Sequence, residues 1–167
     1  FRLVRDTLRN RRSGRRLRSA LADRGPLEAG RFEIGVYFAD GDVNLYQLRQ
    51  WYGPLAALAR RHPVVLLART SSAALALIEE APLPVAMVRR VGDLERFLDE
   101  QPLRIVLYVN QNTKNFQMMR YGRRWHVFVN HGESDKIYMS SNQHKAYDFA
   151  LIAGQAARDR LGRVLWD

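Results

Sequence analysis

His131, Gly132 and Lys136 follow directly on an apolar stretch, Val127-Phe128-Val129-Asn130. A histidine at the end of a strand can exchange a proton near neutral pH. The glycine after it allows a sharp bend or a close approach of backbone to a ligand. Lys136, five positions after the histidine, is a cation that could face a developing anion. Between them Glu133, Ser134 and Asp135 add acid and hydroxyl groups, with Ser134 a candidate ligand contact. A second polar group, Asn110-Gln111-Asn112, follows another apolar stretch, Arg104–Val109. Three successive amides can donate to and accept from a chain of hydroxyl groups. A third group is Asp40-Gly41-Asp42, after Phe32–Phe38.

Each group also has a plainer reading. His131 could simply satisfy a nearby carbonyl in a turn. Lys136 could be an exposed lysine paired with Asp135 or Glu133. Asp40 or Asp42 could cap a helix that starts near Asn44, and Asn110–Thr113 could be a capped loop.

The elements that must position these groups alternate strand and helix. Apolar segments are expected as strands at Phe32–Phe38, Val64–Ala68, Pro84–Val88, Arg104–Val109, Trp125–Val129 and Tyr147–Ile152. Helices are expected at residues 2–22, 44–60, after Thr70-Ser71-Ser72, at 93–100, 113–121 and 154–165, with a loop from His131 to Asn142. Continuous apolar strands between helices predict a parallel sheet covered on both faces, in the order 3-2-1-4-5-6. The expected fold class is therefore α/β: a Rossmann-like sheet of about six strands with a basic helix in front. Residues 1–31 form that basic segment and 32–167 the domain. In this topology the carboxyl ends of the strands share one rim, which collects Asp40-Gly41-Asp42, Arg69-Thr70-Ser71, Asn110-Gln111-Asn112 and Asn130-His131-Gly132.

The chain of 167 residues suits one packed domain. At 47% hydrophobic and 26% charged residues it has a globular composition. It contains no cysteine, which excludes disulfides and cysteine-ligated metals. No run of about 18 apolar residues is present, so no membrane span is expected. The formal net charge is +10, and it is concentrated near the start. Ten arginines lie in residues 1–31 against Asp6, Asp23 and Glu28.

The strand–His–Gly–x–x–x–Lys pattern, followed by Tyr147-Asp148-Phe149-Ala150-Leu151-Ile152, resembles the CDP-glycerol glycerophosphotransferases, which build teichoic-acid-type poly(alditol phosphate). That family shows Trp-His-Gly-Thr-Pro-Leu-Lys-Lys at this place. The chain keeps His131, Gly132 and Lys136. It has Asn130 for the Trp, and Glu133-Ser134-Asp135 for Thr-Pro-Leu. The resemblance implies the N-terminal, acceptor-side half of a GT-B fold, with a nucleotide-holding domain following Trp166-Asp167, so that this chain alone would be inactive. It implies a CDP-linked donor, a lipid-linked polyol-phosphate cell-wall acceptor, and work at the inner face of the cell membrane as a peripheral protein.

In such a transfer an acceptor hydroxyl must lose its proton as it attacks phosphorus. His131 would be the base and Lys136 the electrostatic clamp. Gly132, Asn110, Gln111, Asn112, Asp40 and Ser134 would contact substrate. Arg11, Arg12, Arg15 and Arg16 would meet an anionic membrane surface, each basic residue contributing about 1 kcal/mol.

No G-x-G-x-x-G follows the first strand and no Walker loop is present, so neither a dinucleotide nor ATP is expected, and no other cofactor is implied. His131, Glu133 and Asp135 lack a second histidine at metal-ligand spacing, so no metal is assigned. The basic segment lacks interleaved aromatics, which argues against nucleic acid. Two alternatives remain: a nucleotide-sugar glycosyltransferase of the same fold, and a non-catalytic Rossmann-like binding or regulatory module.

Overall fold

Apolar side chains, aliphatic and aromatic, dominate the strands, and the first two strands are buried at every position. Such strands can only lie between two covering layers. The computed structural model describes residues 14–132, 142–163 and 165. Within it β1 (Ile34–Phe38), β2 (Val64–Ala68), β3 (Val85–Met87), β4 (Ile105–Tyr108), β5 (Trp125–Phe128) and β6 (Phe149–Ala150) form one sheet. Its order is β3-β2-β1-β4-β5-β6, and all five pairings are parallel. This is the Rossmann-like α/β arrangement expected from the strand–helix alternation.

The register sets the rim. Ile34 lies opposite both Val64 and Ile105, and Tyr108 lies opposite Phe128. β1, β4 and β5 therefore stop at one level, and the polar loops after them converge.

The period-2 alternation divides the core between the two faces. Ile34, Val36 and Phe38 pack on one side with Leu45, Leu48, Leu55 and Leu77. Tyr37 and Ala39 point to the other side, among Leu94, Phe97, Tyr108 and Met118. Each fully buried large apolar side chain contributes about 1.5–3 kcal/mol. Gly35 sits close against two leucines of the second face, which would have to shift to admit a larger residue. A Cβ there would stand 3.0 Å from Leu103 Cδ1 and 3.1 Å from Leu67 Cδ1.

The helices are α1 (residues 14–24), α2 (Tyr46–Arg49), α3 (Tyr52–Ala59), α4 (Ser71–Glu80), α5 (Val91–Glu100), α6 (Phe116–Met119) and α7 (Gln155–Gly162). No described helix is long and apolar enough to cross a membrane. α1 lies on the first face, with Leu17 buried and Ala20 and Leu21 packed beside it. The rest of the expected helix 2–22 lies outside the described residues.

Four expectations change. The single helix predicted over 44–60 is a 3-10 turn, Asp42–Asn44, followed by α2 and α3. Pro54 has no N–H, and its ring crowds the carbonyl four residues back, at Gln50, where the helix breaks. α5 begins at Val91 rather than Asp93, because the Asp93 carboxylate accepts from the Arg90 N–H at 2.8 Å and so caps the first turn. The helix expected over 113–121 is a 3-10 turn, Thr113–Asn115, and the single turn of α6. The sixth strand covers two residues instead of six. Among the described residues it is an edge strand, paired with β5.

Candidate functional site

The site begins with the turn after β5. Asn130 has φ +63° and Gly132 φ +133°, both in the region that asparagine and glycine tolerate best. Two donors from the α2–α3 break hold this turn. The Trp51 indole Nε1–H donates to the Asn130 carbonyl at 2.6 Å. The Gln50 amide donates to the His131 carbonyl at 2.5 Å. The Asn130 side-chain oxygen accepts from the His131 N–H at 2.8 Å. Residues far apart in sequence thus fix the backbone that carries the histidine.

The His131 ring is fixed as well. Its Nδ1 lies 2.8 Å from the Val109 carbonyl oxygen, at the end of β4. A carbonyl only accepts, so Nδ1 carries the proton and the neutral ring keeps a lone pair on Nε2. The Tyr46 ring meets it edge-on, with centroids 6.3 Å apart. The plain reading of His131 and the chemical one therefore coincide: the carbonyl contact selects the tautomer a base requires.

His131 lines a cleft of about 280 Å³ together with Asp40, Gln47, Asn110, Asn112 and Asn130. Asp40 is the hub of its floor. One carboxylate oxygen accepts from Asn110 Nδ2 at 2.6 Å and the other from Asn112 Nδ2 at 2.8 Å. The second Asn110 N–H goes to Gln47 Oε1 at 2.6 Å. Both amide protons of the buried Asn110 are thus used, while its Oδ1 is shielded and has no partner among the described residues. An unmatched buried acceptor costs about 1–3 kcal/mol, so the site is polar beyond what packing requires.

Asp40 was one candidate for capping the following helix. The residue at that cap is Gly41, and no side chain caps it. The Asp40 carboxylate faces the amides instead. Asn112 has a double role, because its Oδ1 also accepts from the Lys114 N–H at 2.8 Å and caps the 3-10 turn. Gln111 also lines the cleft, but its amide meets His144, 2.9 Å from Nδ1, rather than Asp40. The three amides therefore do not form one row. Asn110 and Asn112 flank Asp40, and Gln111 reaches the β6 side.

Beneath the cleft lies an aromatic layer. Tyr108 packs against Tyr37 and Tyr147 at centroid distances of 5.9 and 5.2 Å. Burial pushes the Tyr108 phenol far up and that of Tyr147 up to about 12. These hydroxyls stay protonated and act as hydrogen-bonding and packing groups. Asn115 joins the layer to the cleft, donating to the Asn110 carbonyl at 2.8 Å and to the Tyr147 hydroxyl at 3.1 Å.

His126 is packed, as a histidine inside a strand should be, 2.8 Å from the Tyr108 hydroxyl. Burial lowers its pKa, against weaker opposing effects of the Tyr121 carbonyl and Asp148. Arg15 and Arg16 belong to α1, where Arg16 pairs with Glu79 at 2.9 Å. Lys136, Ser134, Arg11 and Arg12 lie outside the described residues. Among the described residues no group of three His, Asp or Glu could hold a metal ion.

Several residues at the cleft were not singled out from the sequence: Tyr46, Gln47, Gln50, Trp51 and His144. The first four were legible in principle, because polar and aromatic side chains at i, i+1, i+4 and i+5 share one face of a helical turn. His144 was not, since only the chain's return beneath β5 brings it to Gln111. Comparison with protein-family models, with curated proteins and with solved structures finds no match to this chain.

Proposed function

We propose that the chain is the acceptor-side domain of a transferase that moves an alditol phosphate group from a CDP-activated donor to a hydroxyl of a polyol-phosphate acceptor. The observation that carries this reading is the His131 Nδ1–Val109 contact of 2.8 Å. It leaves Nε2 as a proton acceptor in a polar cleft on the rim where such sheets bind ligands. The acceptor O–H gives its proton to Nε2 as the new O–P bond forms. The P–O bond to the nucleotide breaks, and the nucleotide monophosphate leaves with the electron pair. Asp40 and Asn110 would orient the acceptor hydroxyls, and Lys136 would counter the charge on the phosphoryl oxygens. The sequence motif His131-Gly132 with Lys136 supports the same assignment, as does the Rossmann-like sheet, which is compatible with one half of a GT-B fold. A lipid-linked acceptor would bring the domain to the inner membrane face.

The test is His131→Ala in the parent protein, assayed with CDP-glycerol. Loss of a general base lowers the transfer rate by about 10²–10⁴-fold; a rate near wild type overturns the role. Calorimetry of the same protein with CDP-glycerol, UDP-sugars and GDP-sugars tests the donor. Heat from a sugar nucleotide and none from a CDP-alditol replaces this reading with a glycosyltransferase.

A further inference from the structure

A second, larger cavity opens on the same rim, on the β2–β3 side, with a volume of about 910 Å³. Its walls are cationic. Arg15 and Arg18 enter from α1, Arg69 from the end of β2, Arg89 from the end of β3, and Lys114 from the turn after β4. Among the described residues no carboxylate lines it, and none of these five cations takes part in an ion pair. Five positive charges from four parts of the fold repel one another unless an anion sits among them.

The hydrogen-bonding groups match the charge. Thr70, Ser71 and Ser72 line the wall at the start of α4. Thr70 Oγ1 is already engaged, donating to the Asp40 carbonyl at 3.1 Å and accepting from the Ala73 N–H at 3.3 Å. The Ser71 and Ser72 N–H groups belong to the first helical turn, where the chain offers no i−4 acceptor. Arg69 is held in place, its Nη2 donating to Gln117 Oε1 at 2.5 Å. Its Nη1 is shielded from solvent. An immobilised guanidinium, beside first-turn helix amides and four further cations, has the composition of a phosphate site.

We infer that this cavity is a binding site for a soluble molecule carrying two or more phosphate groups. It is separate from the His131 cleft and does not rest on the transferase reading. The loop after β1 lies between the two: Asp40 lines the first, and Thr70, bonded to the Asp40 carbonyl, lines the second. A ligand long enough could occupy both. The inference also reassigns Arg15, which faces this cavity.

Titration calorimetry of the chain with inorganic tripolyphosphate tests the site. Saturable binding at one site is expected, weakening as salt is raised. Arg69→Gln should reduce affinity at least about tenfold. Arg89→Gln and Lys114→Gln alter exposed side chains, leave folding intact, and should each cost several-fold. Arg60→Gln, at the far end of α3, should have no effect. Should Arg69→Gln not fold, the two exposed variants decide. Absence of saturable heat, or equal loss in Arg60→Gln, overturns the site in favour of diffuse charge attraction. If the cavity variants weaken binding to phosphatidylglycerol vesicles and leave tripolyphosphate binding unchanged, the arginines serve a membrane surface and the inference fails.

Discussion

The Trp51 indole N–H reaches the Asn130 carbonyl at 2.6 Å, joining a break in one helical segment to the turn that carries His131. The two residues are 79 positions apart. The contact shows that the histidine is held from outside its own loop. Trp51→Phe keeps most of the ring volume and removes the donor. The expected cost is about 1 kcal/mol in denaturant unfolding, with a larger effect on transfer, because the Asn130-His131 backbone loses a fixed point. Unchanged stability and unchanged turnover together would show that the contact positions nothing.

Asp40 organises the cleft through two amides, so its charge matters more than its volume. Asp40→Asn retains the shape but presents an N–H to Asn110 or Asn112, each of which already points a donor at it. The loss should be about 1.5–3 kcal/mol, the range for a hydrogen bond to a charged group. Asn110→Ala removes the amide that links Asp40 to Gln47. In the double variant the two losses should fall short of additivity, since the residues share one network. A double-mutant cycle by urea unfolding measures this; strict additivity would contradict the network.

His126 gives stability a pH dependence of defined sign. Burial lowers its pKa in the folded chain, whereas the unfolded chain protonates it near about 6.5. Below that pH the unfolded state therefore binds more protons than the native state. Stability is fully present above about pH 6.5 and declines as pH falls toward the lowered native value. His126→Gln should flatten this part of the unfolding profile. A slope that persists unchanged would assign it to other groups.

Much of the architecture was written in side-chain periodicity. The apolar runs at 34–38 and 64–68 are strands in the structure because only a two-sided covering can bury them. The order of the sheet is the doubly wound one expected of two βαβ halves. Helix ends were less legible. Pro54 broke the helix expected over 44–60, and the Asp93 cap moved the start of α5 by two residues. At the site, the residue types on the rim could be read, but not their partners. Asp40 looked like a helix cap and proved to be an amide-bound carboxylate.

The sequence alone determined the parallel α/β sheet, the rim on which Asp40, Asn110 and His131 meet, and the concentration of arginine at the start of the chain. These follow from local pattern, since strand burial and loop position depend on near neighbours and one topology rule. Tertiary structure alone decided which tautomer His131 adopts, which acceptors Asn110 faces, and that Arg15, Arg18, Arg69, Arg89 and Lys114 surround one cavity. These depend on distances between segments dozens of residues apart. Only the shared register of the strands sets those distances.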